Sequence, residues 1–101
     1  MDSYIFKTCE EDGKIYTLKV YRFCTEWYFD NKLHREKRPA IEWFDGRKDW
    51  YKNGKYHRED GPTIEFIDGR KEWWLNDKCY GYNNDFKKKS WKKFVSTLVF
   101  I

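Results

Sequence analysis

Residues 26–48 read EWYFDNKLHREKRPAIEWFDGRK, and residues 49–71 read DWYKNGKYHREDGPTIEFIDGRK. The two stretches align without a gap and share 13 of 23 positions. A third copy opens at residue 72 with EWWLNDKCYG and then departs. Self-similarity at a fixed period marks a repeat architecture, in which each unit buries its apolar face on its neighbours. Each unit carries turn signals: Asp30-Asn31, Asn53-Gly54 and Asn76-Asp77 first, then Asp45-Gly46 and Asp68-Gly69. Asn-Gly and Asp-Gly are strong hairpin signals, because both central residues of a type I′ turn need positive φ. The repeat is therefore strand, turn, strand. The expected fold class is mainly β, built of tandem antiparallel hairpins.

A two-residue turn at Asn53-Gly54 sets Tyr51 against Tyr56, Trp50 against His57 and Asp49 against Arg58. The earlier copy matches it with Tyr28 to Leu33, Trp27 to His34 and Glu26 to Arg35. An acid facing an arginine in both copies supports this register. A two-residue turn at Asp68-Gly69 would oppose Glu65 to Glu72, and the earlier copy would oppose Glu42 to Asp49. Like charges in direct opposition are unfavourable. A three-residue bulged turn is preferred there, pairing Ile64 with Trp74 and Ile41 with Tyr51. Between hairpins, Arg35 to Pro39 and Arg58 to Pro62 break the strand, since proline donates nothing to a ladder.

These boundaries give a single repeat domain over 1–101: an N-terminal β cap at 1–25, repeats at 26–48 and 49–71, a partial repeat at 72–82, and a C-terminal helical cap at 83–101. In the N-terminal cap, Tyr4 to Cys9 and Ile15 to Phe23 are strand-like and join around Asp12-Gly13. In the C-terminal cap, Asn83-Asn84-Asp85 suits a helix start near Asp85, and Trp91, Phe94, Val95 and Leu98 fall on one helical stripe. Val95 to Ile101 is β-rich in composition and suits a short strand as an alternative.

The chain has 101 residues, enough for one small domain. Aromatics make up 22% of it and charged residues 38%, so the core must be assembled from Trp, Tyr and Phe rather than aliphatics. That is more aromatic surface than a chain this short easily hides, which points to self-association, a two-fold dimer being the commonest form. The net charge of +4 is mild, and much of it sits in Lys87, Lys88, Lys89, Lys92 and Lys93. Three widely spaced cysteines, Cys9, Cys24 and Cys79, argue against a disulfide framework and for a reducing compartment. The opening MDSYIFKTCEEDGK has no apolar leader-like run, so a cytoplasmic setting is expected.

The run Trp50 to Pro62, W-Y-x-N-G-K-x-H-R-x-D-G-P, followed by Ile64-Glu65-Phe66 and Asp68-Gly69, resembles the MORN-type repeat and its variants. It is most similar to the short tandem versions found in proteins of large DNA viruses and phages. Phe86, Trp91, Phe94 and Val95 resemble the C-terminal cap of those proteins. The third unit departs, reading Tyr80-Gly81-Tyr82 where the H-R-E-D-G-P segment would stand. The resemblance implies a row of hairpins in one long twisted sheet. It also implies a protein or lipid interaction scaffold, often self-assembling, and a host cytoplasm if the source is viral.

Candidate chemistry is sparse. His34-Arg35-Glu36 and His57-Arg58-Glu59-Asp60 carry acid-base character, yet they recur at the repeat period, which favours a structural role over a catalytic one. No spacing of Cys and His suits zinc, and no glycine-rich phosphate loop is present, so no metal, cofactor or enzymatic activity is expected. Trp27, Trp50 and Trp73, stepping by the repeat period, form a ladder that packs as core or, with Arg35, Arg58, His34 and His57, binds a nucleotide-like ligand. The lysine segment is either the wet face of a helix or a contact for a membrane or nucleic acid. The leading expectation is a self-associating interaction scaffold. The alternative is a protein that sequesters a small ligand or nucleotide, of the viral counter-defence type.

Overall fold

The computed structural model describes residues 3–98. The β-rich alternative for Val95 to Ile101 and the outermost residues of both caps therefore lie partly outside it. The chain is mainly antiparallel β, with one helix at the C-terminal end. Strands β1 (Tyr4–Glu11) and β2 (Lys14–Tyr21) make the opening hairpin. Then come β3 (Cys24–Phe29), β4 (Lys32–Leu33), β5 (Ile41–Trp43), β6 (Lys48–Asp49), β7 (Tyr51–Lys52), β8 (Lys55–Tyr56) and β9 (Ile64–Glu65). The last strands are β10 (Lys71–Leu75) and β11 (Lys78–Tyr82), followed by a 3-10 turn at Asn83–Asp85 and helix α1 (Lys88–Leu98).

Turn chemistry sets the hairpins. Asp12 and Gly13, Asp30 and Asn31, Asn53 and Gly54, and Asn76 and Asp77 all have positive φ, between 48° and 80°. That is the type I′ backbone, whose twist matches that of the flanking strands. The register at Asn53-Gly54 is the expected one: Tyr51 pairs with Tyr56 and Lys52 with Lys55. The two tyrosine rings stack with centroids 4.4 Å apart. Tyr28 likewise pairs with Leu33, and the amides of His34 and His57 donate to the carbonyls of Trp27 and Trp50.

The ladder ends with those bonds, and the expected acid–arginine pairs do not form. The amide of Arg35 goes to the Tyr51 carbonyl of the next unit, and that of Arg58 goes to Trp74. Glu26 accepts from the Tyr28 hydroxyl instead. Asp49 is gripped by both ends of the Arg47 guanidinium, at 2.8 and 2.9 Å.

The Asp-Gly turns are three-residue bulged turns, with Gly46 and Gly69 at φ of 98° and 92°. Their register differs from the expected one. Ile64 pairs with Glu72 rather than Trp74, and Ile41 pairs with Asp49 rather than Tyr51. The reason is electrostatic: this register sets Glu65 against Lys71 and Glu42 against Lys48, opposite charges in both copies.

The hairpins do not form one unbroken sheet. Nine strands join, in the order β1-β2-β3-β5-β6-β9-β10-β11 with β4 against β3, while β7 and β8 pair only with each other. The break falls at Trp50, whose amide leaves the hairpin to donate to the Thr63 carbonyl, as Trp27 donates to Ala40. Beyond the break the hairpin tips still touch. Gly54 donates to Leu33 and Asp77 to Tyr56, so the tips make a second row beside the main sheet.

The C-terminal cap starts later than expected. Asp85 caps only the 3-10 turn, accepting from the amide of Tyr82, and α1 begins at Lys88. The predicted stripe is right: Trp91 and Val95 are buried, and Phe94 and Leu98 pack beside them against Trp73, Leu75 and Tyr80. No helix among the described residues is long and apolar enough to cross a membrane.

Candidate functional site

The repeated polar corner, His34 to Pro39 and His57 to Pro62, is where the sequence concentrates its chemistry. Each histidine uses both ring nitrogens. His34 Nδ1 accepts the amide of Asn53 at 2.9 Å, and His57 Nδ1 accepts that of Asn76 at 3.2 Å. Nε2 of each lies against a carboxylate two residues on, Glu36 at 3.0 Å and Glu59 at 2.9 Å. An amide N–H aimed at Nδ1 makes that nitrogen the acceptor and turns Nε2 to the carboxylate, which fixes the orientation of the ring. Each histidine thereby ties its own unit to the turn of the next.

The arginines lie flat on the tryptophans. The Arg35 guanidinium stands 3.5 Å from the Trp27 ring centroid, and Arg58 stands 3.7 Å from Trp50. Nη1 of each donates to the carbonyl of the proline four residues on, Pro39 at 3.2 Å and Pro62 at 3.0 Å. That bond explains the R-x-x-x-P spacing in both units. It follows that arginine, not histidine, covers the tryptophan face.

The two corners then diverge. Arg35 is 5% exposed and makes a fork with Glu11 at 2.9 and 2.7 Å, plus a bond to Glu42 at 3.1 Å. Burial works against its charge, and the bonds to Glu11 and Glu42 outweigh it, so its pKa is raised. Glu11 is lowered in turn, chiefly by Arg35. Arg58 pairs with the exposed Asp60 at 2.9 Å and lies 3.5 Å from Glu65. Its guanidinium lies against Gly61, where a Cβ would come within 2.7 Å of Cζ. Unit one has Arg38 at the matching position, and there the arginine turns to the N-terminal hairpin instead. Glu36 is pulled down to about 2, first by Lys14 and then by His34.

Of the predicted binding residues, the structure brings Arg35, Trp50, His57 and Arg58 to one groove of about 220 Å³, together with Glu36, Glu59 and Asp60. His34, on the Asn53 side of its corner, and the buried Trp27 do not line it. Trp73 is set apart: it is 1% exposed, packs on Phe86 and Trp91, and its indole N–H donates to the Asn83 carbonyl. A wider hollow of about 450 Å³ lies on the other side of His57, lined by Leu75, Tyr80, Val95 and Leu98 among others. Lys87, just before α1, and Lys88, Lys89, Lys92 and Lys93 on it are all exposed.

Sequence reasoning missed Glu11 and Glu42 as partners of Arg35. The recurrence of Glu42 as Glu65 was a usable signal, but Glu11 lies outside the repeat and offered none. It also missed the exposed apolar residues of the first hairpin, Tyr4, Ile5, Phe6 and Ile15. Among the described residues no group of three or more His, Cys, Asp or Glu side chains is placed to hold a metal ion. Comparison of the chain with family models, with curated proteins and with solved structures found no match.

Proposed function

We propose that this chain is a non-enzymatic interaction scaffold that associates with itself. One observation carries the reading. The polar groups with chemical potential are consumed in holding units together, while large apolar side chains are left outside. Both nitrogens of each histidine, the tryptophan faces and most donors of Arg35 are taken by neighbours. Ile5, Phe6, Ile15, Phe23, Phe44 and Ile67 are each more than 60% exposed; the first three stand on the opening hairpin and the others in turns and connections, and large apolar side chains left in water favour contact with another macromolecule. The resemblance of Trp50 to Pro62 to MORN-type repeats points the same way, and with it a viral source and a host cytoplasm as the setting.

Sedimentation equilibrium over a wide concentration range tests the reading. A dimer or larger species that dissociates on dilution is expected. A species of 12.6 kDa at every concentration refutes self-association.

The nucleotide-binding reading has one observation in its favour, the groove that gathers Arg35, Trp50, His57 and Arg58. Its volume of about 220 Å³ is below the range of about 300–1,000 Å³ usual for small-molecule sites. Its rim also carries Glu36, Glu59 and Asp60, which oppose a phosphate. The scaffold is therefore the better reading. Calorimetric titration with nucleoside mono- and triphosphates decides between them, and saturable micromolar heat that vanishes in Arg58→Ala would reverse the preference.

A further inference from the structure

We infer that the lysines of α1 form a docking surface for the phosphate backbone of a nucleic acid, contacting it through Lys87, Lys88, Lys89, Lys92 and Lys93 without reading its sequence. The inference does not depend on the self-association proposed above.

These lysines decide the charge balance of the whole chain. Five of its 21 lysines and arginines lie between positions 87 and 93, which leaves sixteen against 17 aspartates and glutamates elsewhere. No acidic residue lies between 86 and 101, and the preceding Asp85 accepts from the amide of Tyr82. All five lysines are exposed. Among the described residues none of them is in an ion pair. The helix is destabilised by carrying them. Lys88 and Lys92, and Lys89 and Lys93, are like charges four residues apart, which repel along the helix surface. Lys88 and Lys89 also stand in the first turn, where the helix dipole disfavours a cation and no acid offsets them. A face that is only solvated mixes both signs. A face of one sign, set against the preferences of its own helix, is placed for an anion outside the chain.

Membranes, acidic proteins and nucleic acids all carry negative charge, and the packing of α1 favours the last. A basic helix lies on a membrane by burying its apolar face in the bilayer as well. Here that face is taken: Trp91 and Val95 are buried, and Phe94 and Leu98 pack beside them with Trp73, Leu75 and Tyr80. No large apolar side chain among residues 83–98 is exposed. Protein interfaces are depleted in lysine and enriched in aromatic residues and arginine, the opposite of this surface. A nucleic acid asks only for cations, because a duplex carries one negative charge per about 1.7 Å of its axis. Lysines four residues apart step by about 6 Å along a helix, so each has phosphates within reach in any register. Lysine also supplies a point charge rather than a planar fork, which suits backbone contact over base readout.

The test is fluorescence anisotropy of a labelled mixed-sequence DNA duplex titrated with the full chain, between about 50 and 200 mM salt. Four to five phosphates neutralised per helix give a slope of log K on log salt of about −4, so the affinity is expected to fall by about 100-fold or more over that range. The double variant Lys89→Ala/Lys93→Ala, its fold confirmed by circular dichroism, is expected to make the slope shallower by about 2. Lys37→Ala/Lys55→Ala removes the same charge from exposed positions outside α1 and is expected to leave the slope unchanged. Equal effects of the two double variants would show that net charge alone acts, and overturn the assignment to α1. Vesicles of phosphatidylserine and phosphatidylcholine form the second arm: tighter binding to them than to the duplex at equal salt replaces the nucleic acid with a membrane. Displacement of the duplex by poly-glutamate at equal charge concentration replaces it with an acidic protein. No saturable binding to the duplex at about 50 mM salt overturns the inference outright.

Discussion

Replacing Arg35 by alanine should destabilise the fold by about 3 kcal/mol, and replacing Arg58, its repeat equivalent, by only about 1–2 kcal/mol. The difference follows from what each guanidinium leaves behind. The Arg35 side chain is 4% exposed and that of Glu11 16%, so truncation strands a largely buried carboxylate. Its remaining cation is Arg38, 3.6 Å away and exposed. Breaking a buried pair from one side costs about 3–5 kcal/mol. Glu42, the other partner, is 48% exposed and rehydrates, which holds the figure at the lower end. Arg58 strands less, since the side chains of Asp60 and Glu65 are 66% and 31% exposed. What it loses is mainly the bond to the Pro62 carbonyl and the contact with Trp50, about 1 kcal/mol each at most. Arg35→Lys should fall between, because an ammonium keeps the charge but not the fork on Glu11. Urea denaturation at fixed protein concentration measures all three. Equal losses for the two alanine variants, or a larger loss for Arg58→Ala, would show that the repeat position alone sets the energy and that Glu11 contributes nothing.

Gly54→Val should cost about 1–2 kcal/mol in the same assay: φ is 80°, and a Cβ there meets only Lys32 at 3.7 Å, so the penalty is backbone strain rather than clash. Trp73→Ala and Trp91→Ala, both essentially unexposed, should each lose about 3–5 kcal/mol. The half-buried Trp50 should lose less, and thermal melts that rank Trp50 first would contradict this packing. Glu36 is held near 2 by Lys14 and His34 against an ordinary value of 4.5. Its depressed folded pKa means that its contribution is complete above about 4.5 and lost as the pH falls toward 2. A plot of unfolding free energy against pH should fall less steeply over that window in Glu36→Gln than in wild type.

Local signals read well and crossed signals did not. Asn53-Gly54 announced its own turn because the backbone it needs is available to few residues, and the pairing of Tyr51 with Tyr56 followed from the turn alone. The stripe of Trp91, Phe94, Val95 and Leu98 was legible for the same reason, since periodicity is a property of one segment. The register of the Asp-Gly turns was misjudged. Avoiding Glu65 against Glu72 leaves more than one register open, and the choice depended on noticing that Lys71 and Lys48 sit at matching places. The partners of Arg35 and Arg58 were misjudged because the chain leaves the ladder after the histidine, a consequence of the next unit offering Tyr51 and Trp74 carbonyls. The corner residues were identified from their repetition, but repetition could not say which of His and Arg would cover the tryptophan. The reach of the side chains decided that.

Both ends of the array are fastened to the same repeat position. Arg35 takes Glu11 from the opening hairpin through its side chain. The Arg58 carbonyl accepts the indole N–H of Trp91 from α1, at 2.8 Å. Two copies of one corner thus serve two different caps, because each has a neighbouring corner on one side only. This also accounts for where the repeat stops. A third complete unit would need its own arginine after Tyr80, and the sequence turns instead to Gly81, where a Cβ would come within 3.1 Å of both Asp85 and Phe86. That close approach brings Phe86 and Trp91 onto Trp73, and aromatic side chains pack where an arginine lies on the tryptophan in the units before. An arginine needs carboxylates and a carbonyl to satisfy it, so it can be repeated only while another unit or cap supplies them. Aromatic rings need no such partners, and so can end the series with a closed apolar core. The N-terminal end is satisfied by a carboxylate instead: Glu11 takes the place that a further unit would fill beside Arg35.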